Sequence, residues 1–243
     1  MPDILKTIEQ SNRSLSILID PEKMEIDAIP AFAKAIIFTI HNLKGKLQID
    51  QFYFFVGGST MENVNFDKWV KELRENCNIP IVIFPGSHHQ LSENADGLLF
   101  LNLISGRNSD FLIEQQVHAA NKLKKTKLEV VPTGYILIDG GKETAVQRIS
   151  QTLPLPQRDM DSIVNHAYAA QLMGNRLVYL EAGSGALKSV STEIVREVTQ
   201  QIDIPLIVGG GLQTIKDIQC IYDAGAQMAV VGTAIEKNIK WNG

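Results

Sequence analysis

Eight short apolar runs separated by segments of helical periodicity set the narrowest limit on how this chain can fold. They are Leu15–Asp20, Phe52–Val56, Ile81–Phe84, Gly97–Leu101, Leu128–Val131 continued by Tyr135–Ile138, Leu177–Glu181, Leu206–Val208 and Met228–Val231. Their residues are apolar at successive positions rather than alternating, which is the pattern of parallel strands covered on both faces. Pro80 and Pro205 open two of the runs, where a strand tolerates proline. Between them, Ile194, Val195, Val198 and Ile202 form one helical stripe. Ile215, Ile218, Ile221 and Tyr222 form another, with Thr214 as its N-cap and Gly225 at its end. Asp161 is expected to start a third helix, running through Ile163 to Met173. Eight βα units in 243 residues predict an α/β chain of the (β/α)8 TIM-barrel class, with residues 1–243 as one barrel domain. An open doubly wound sheet is the alternative.

Two connections depart from the regular count. Residues 85–96 are barely enough for a crossover helix and its loops, so the barrel is expected to be modified at its third helix and to have an opening there. Residues 139–159 are long and rich in glycine and proline, and are read either as a surface excursion with a short helix or as a mobile loop over a site. The basic run Lys122–Lys127 is expected to be a solvated helix end.

Composition excludes several classes. With 44% hydrophobic residues the chain can bury a core, and 23 Lys+Arg against 27 Asp+Glu gives a net charge of −4. That balance offers no general attraction to nucleic acid. Cys77 and Cys220 are far apart and form no CxxC pair, which suits a reducing cytoplasm. The first 14 residues lack a signal-peptide core, and the apolar run Ile29–Ile40 is interrupted by Lys34. No segment is expected to reach transmembrane length, so membrane contact would be peripheral or through a ligand.

Barrel chemistry gathers where strands end. Three glycine clusters follow the last three runs: Tyr179–Ala186 (YLEAGSGA), Val208–Thr214 (VGGGLQT) and Val231–Glu236 (VGTAIE). Glycine lets several backbone N–H groups approach one anion closely, and three such turns in register predict a phosphate monoester site. Asp20 ends the first run before Pro21, and Ser59 or Thr60 follows the second, a carboxylate–hydroxyl pair suited to Mg²⁺. Zinc is a poor fit, because His88 and His89 are adjacent with no partner at ligand spacing. Glu181 lies two positions from Tyr179, on the same strand face, where it is read as a general base or as an orienter of a nucleophile.

In order along the chain, LIDPEK, FVGGST, VPTGYILI, YLEAGSGA, IVGGG and VVGTAIE resemble the geranylgeranylglyceryl phosphate synthase family over Leu15–Glu236. The resemblance implies a (β/α)8 prenyltransferase joining the C3 hydroxyl of sn-glycerol 1-phosphate to a polyprenyl diphosphate for ether-lipid synthesis. A bacterial branch with longer donors has YLEYSG in place of YLEAGSG, and often a lysine where this chain has Leu18. The form seen here favours geranylgeranyl diphosphate. The resemblance further implies Asp20 and Ser59 as Mg²⁺ ligands, with glycerol phosphate against Tyr179, Leu180, Glu181, Ala182, Gly183, Ser184 and Gly185. Gly210, Gly211, Gly232 and Thr233 would hold its phosphate, and Glu181, with Tyr179, would handle the attacking hydroxyl. Relatives of this kind are dimers or hexamers; the 139–159 segment has no aromatic residue to anchor a larger assembly, so a dimer is favoured. The family's barrel lacks a regular third helix, which leaves a groove for the isoprenoid tail. Competing readings are another phosphate-binding barrel (a sugar-phosphate isomerase or a flavin enzyme), a variant with a longer prenyl donor, and a non-catalytic lipid- or phosphate-binding barrel.

Overall fold

The computed structural model describes residues 3–61, 64–239 and 241. Eight parallel strands, β1 (Ser14–Ile19), β2 (Gln51–Val56), β3 (Ile81–Ile83), β4 (Gly97–Leu103), β5 (Glu129–Leu137), β6 (Leu177–Glu181), β7 (Leu206–Gly209) and β8 (Met228–Val231), close into a barrel in sequence order. Residues facing inward, among them Tyr53, Phe55, Leu99, Val131, Tyr135, Tyr179, Ile207 and Met228, fill the interior. Their neighbours on the other strand face, such as Ile17, Phe54, Ile83, Leu180 and Val208, pack beneath the helices. The short helix α1 (Ile4–Gln10) plugs the bottom of the barrel with Ile4 and Ile8. The Glu129 carboxylate accepts hydrogen bonds from the first amides of α1, Ile4 N (2.5 Å) and Leu5 N (2.8 Å).

The wall is formed by α2 (Ile29–Leu47) after β1, α3 (Phe66–Asn76) after β2, and α4 (Gln115–Leu123) after β4, the last entered through one wide turn at Asp110–Glu114. The connection after β5 holds the short α5 (Ala145–Ser150) and the covering helix α6 (Met160–Leu172), followed by α7 (Thr192–Gln201), α8 (Ile215–Asp223) and α9 (Thr233–Lys237). No helix follows β3: residues 84–96 make only turns, as the length of that segment predicts.

Several details differ from the sequence expectation. β5 is one strand rather than two, because Pro132 still accepts from Arg176 N (2.8 Å) through its carbonyl and continues the ladder. The N-cap of α6 is Asp159, whose carboxylate meets Ser162 N; Asp161 sits inside the first turn. Thr214 caps α8 in a reciprocal capping box with Asp217, and the helix ends at Asp223 with Ala224 as its C-cap and Gly225 just beyond. The stretch Ile26–Leu47 is 22 residues and holds an 18-residue window with a mean hydropathy of 1.3, long and apolar enough by length and composition to cross a membrane. Lys34 alone lowers that average too little to break the run. In this fold the stretch is a wall helix, with Ile29, Ala33, Ile36, Leu43 and Leu47 buried against the sheet and Ile37 (54% exposed) and Phe38 (61%) facing outward.

The gap left by the missing helix is braced by Gln90, which is 2% exposed. Its side chain donates to Gly58 O (2.7 Å) and accepts from Gly58 N (3.3 Å) and Gly86 N (3.1 Å), tying the end of β2 to the end of β3. Gln90→Leu strands these backbone groups without partners. We expect a loss of about 1–3 kcal/mol, read as a lower urea midpoint with an unchanged m-value; an unmoved midpoint would show that the clip carries no stability.

Candidate active site

One cavity of about 430 Å³ runs across the C-terminal end of the barrel. At one side it is bounded by the glycine turns after β6, β7 and β8, including Gly183, Ser184, Gly185, Gly210, Gly211, Gly232 and Thr233. Gly210 (φ 80°) and Gly211 (φ 73°) take left-handed conformations that turn the chain sharply after β7. The amides of Ser184, Gly185, Gly210 and Gly211 donate to no protein acceptor among the described residues. Their N–H groups and the first turn of α9 border the same space, which is the arrangement a bound phosphate requires.

Glu181 stands at the centre. It is 5% exposed, and its Oε1 accepts from Gly183 N (2.7 Å). Tyr179, one layer deeper on the same strand face, brings its hydroxyl beside the carboxylate without forming a well-aligned hydrogen bond. The close approach depends on Gly209, which sequence reasoning did not single out: a β-carbon there would lie 2.5 Å from Tyr179 Oη and 2.7 Å from Glu181 Oε2. Phe84 and Tyr135 complete an aromatic floor, with ring centroids of Tyr135 and Tyr179 5.4 Å apart at 87° and Phe84 5.4 Å from Tyr179. Burial pushes the Glu181 carboxyl up, against the opposing pull of Tyr179 and the Gly183 amide. Burial, and then the Glu181 charge, pushes Tyr135 and Tyr179 well up. Both hydroxyls are therefore neutral donors at physiological pH.

Asp20 and Ser59 border the same mouth at the ends of β1 and β2, with β1 paired to β8. Asp20 Oδ1 accepts from Glu22 N (3.1 Å), and Lys23 stands 3.6 Å from Oδ2 while pairing more closely with Glu236 (3.1 Å). Burial raises the Asp20 pKa, opposed by the Glu22 amide and Lys23. Thr60 is engaged by Glu22 through a 2.7 Å hydrogen bond, so Ser59 is the freer hydroxyl of the pair. Among the described residues there is no cluster of three or more His, Cys, Asp or Glu side chains able to hold a metal by themselves. A cation at Asp20 and Ser59 would have to share oxygens from a ligand.

From the mouth, the cavity extends into the opening in the wall. Buried Leu98 and half-buried Leu91 and Phe100, beside the missing helix, line this arm together with Ala119 of α4 and make it apolar. His88 borders it, with its ring tilted against those of His89 (centroids 3.9 Å apart) and His118 (4.9 Å), the latter an approach across 30 residues that local spacing could not reveal. Of the residues marked in the sequence, Asp20, Ser59, Glu181, Gly183, Ser184, Gly185, Gly210, Gly211, Gly232 and Thr233 line this one space. Leu180 and Ala182 pack outward beneath the helices, and Tyr179 lies under Glu181; none of the three borders the cavity. The 139–159 segment holds the short helix α5, and its first residues pack on the Gly183–Gly185 turn.

A barrel with free amides at three successive strand ends, a buried acid beside them and an apolar side channel defines a phosphate-handling (β/α)8 enzyme. The chain belongs to the PcrB family, whose model matches residues 11–242. A geranylgeranylglyceryl phosphate synthase of Flavobacterium johnsoniae is 43% identical over 235 residues, covering 97% of this chain and 93% of that protein. The enzyme of the same name from Pyrococcus furiosus is 39% identical over 90% of this chain and 83% of its own length. Among solved structures, the (S)-3-O-geranylgeranylglyceryl phosphate synthase of Thermoplasma acidophilum, in complex with its substrate sn-glycerol-1-phosphate, superimposes with a TM-score of 0.84 at 30% identity. That match covers 99% of this chain and 92% of the other. The family resemblance and the barrel expected from the motifs are both borne out.

Glu181 keeps its proton to higher pH in the folded chain than in the unfolded one. Above the ordinary glutamate range the folded state therefore binds more protons than the unfolded one, and stability falls with rising pH until the folded value is passed. Glu181→Gln retains an acceptor for Gly183 N and removes the buried charge. Thermal unfolding from about pH 4 to pH 8 should show the variant gaining on the wild type as pH rises; parallel curves would mean that the carboxylate is not strained by burial.

Proposed function

We propose that this protein is a prenyltransferase that joins the C3 hydroxyl of sn-glycerol 1-phosphate to C1 of geranylgeranyl diphosphate, releasing diphosphate and giving an ether-lipid precursor. The observation that carries this reading is the single cavity connecting a phosphate cradle, a buried carboxylate and an apolar channel through the wall. The names of the relatives and the glycerol phosphate bound by the Thermoplasma enzyme support it.

In this reading the amides of Ser184, Gly185, Gly210 and Gly211, with Gly232 and Thr233, hold the phosphate and so fix the glycerol at one side of the barrel. Glu181 faces the C3 hydroxyl. As the C1–O bond to diphosphate breaks, its electron pair leaves with the diphosphate; the C3 oxygen bonds to C1, and its proton passes to Glu181. A carboxylate whose pKa is raised by burial is a stronger base once ionised, and Tyr179 and the Gly183 N–H orient it. The rings of Phe84 and Tyr135 line the space where C1 would develop positive charge, a favourable surface for a cation. The isoprenoid tail would lie along Leu91, Leu98, Phe100 and Ala119. Fixing the phosphate and tail aligns the reacting atoms through contacts remote from them.

Asp20 and Ser59 offer hard oxygen donors without nitrogen or sulfur, a set suited to Mg²⁺, and they are the residues that would hold it. Bound there, Mg²⁺ would neutralise charge on the diphosphate. We place the reaction in the cytoplasm, in keeping with two free cysteines, Cys77 and Cys220. A homodimer is our reading of the assembly, with a hexamer as its alternative; the exposed Tyr168 and Leu172 on α6 and Met173 at its end offer an apolar face.

The test is product formation from labelled glycerol 1-phosphate, Mg²⁺ and prenyl diphosphates of graded length. Wild type should give geranylgeranylglyceryl phosphate, and Glu181→Gln should lower kcat by about 10²–10⁴-fold with little change in the KM for glycerol phosphate. Full turnover by the variant would remove Glu181 from the mechanism. Absence of product with every donor would overturn the reaction.

A further inference from the structure

The segment after β5 is fastened to the turn after β6. Gly140 O accepts from Leu187 N (2.9 Å) and Lys188 N (3.1 Å), and Thr144 fills the space beside Gly183. Between these fastenings Lys142 reaches over Gly185, its Nζ 3.0 Å from where a β-carbon on that glycine would stand. The carboxylates nearest in sequence are engaged elsewhere: Asp139 accepts from Gly141 N (2.9 Å), and Glu143 pairs with Arg148 (3.6 Å). Among the described residues Lys142 has no ion-pair partner.

An unpaired ammonium thus overhangs a turn whose own donors are neutral amides. The formal charge closest to that turn on the cavity side, Glu181, has the same sign as a phosphate. We propose that Lys142 is a substrate-binding residue, whose ammonium closes on the phosphate of the three-carbon phosphate ester from the solvent side. It adds a point charge that offsets Glu181, and its flexible stem lets it follow the ligand in and out. The assignment rests on the phosphate-cradle reading above and adds to it a side chain from outside the glycine motifs.

Lys142→Met and Lys142→Arg test the assignment. Lys142 is exposed, and neither change touches the core. We expect Lys142→Met to raise the KM for glycerol 1-phosphate about 10- to 100-fold, the size of one charge-assisted hydrogen bond, while kcat and the KM for the prenyl donor stay near wild type. Arginine should restore most of the loss, which a merely structural lysine would not require. Inorganic phosphate, titrated calorimetrically into the full chain, gives a reading independent of turnover. Weaker phosphate binding by Lys142→Met supports the proposal even if wild type makes no ether product, in which case only the reaction assignment falls. Equal phosphate affinity and equal KM in wild type and Lys142→Met would overturn it, as would a wild type that binds no phosphate.

Discussion

Closure of the sheet is the constraint on which everything else rests. β1 pairs with β8 from Ser14 opposite Met228 to Ile17 opposite Val231, so every strand has two partners and the sheet has no edge to protect. Because all eight strands run the same way, their C-terminal ends meet in one ring, and groups as far apart in sequence as Asp20 and Thr233 come to border a single space. The interior beneath that ring is filled with aromatic and aliphatic side chains, so a ligand can occupy only the rim and any breach in the wall.

Placing a carboxylate on this floor has a cost that the neighbouring residues are arranged to limit. Glu181 is taken out of water in company with Tyr135 and Tyr179, whose hydroxyls lack well-formed protein partners. A buried, incompletely satisfied polar group works against stability. Two such hydroxyls beside a buried carboxylate, with Tyr179 and Glu181 brought close by the absence of a side chain at Gly209, mark a place where folding is compromised for chemistry. The Gly183 amide recovers part of the loss and also holds the carboxylate at a fixed angle.

Much of this was legible in the sequence, because it rests on local rules. The strand runs, the Thr214 cap and the short 85–96 connection each follow from patterns a few residues wide, and the glycine clusters announced the cradle. Other features depend on contacts that have no local signature. Gln90 reads as an ordinary loop residue until the missing helix brings the β2 and β3 ends within its reach. The approach of His118 to His88 and the overhang of Lys142 above Gly185 arise only when distant segments pack. The apolar average of Ile26–Leu47, the stretch that contains α2, escapes a reading from charge to charge, because Lys34 interrupts the run while the residues around it hold the average up.

The missing helix also changes the direction in which the barrel can be entered. A regular barrel takes ligands from above, and its filled interior limits how far a long molecule can extend. Here the cavity turns sideways at β3 and β4 and continues between Leu98 and Ala119. Its depth is therefore set by the height of the wall and not by the radius of the barrel. Two ends of one elongated amphiphile can then be held in different media, the head among backbone dipoles above the strands and the body in a greasy seam down the flank.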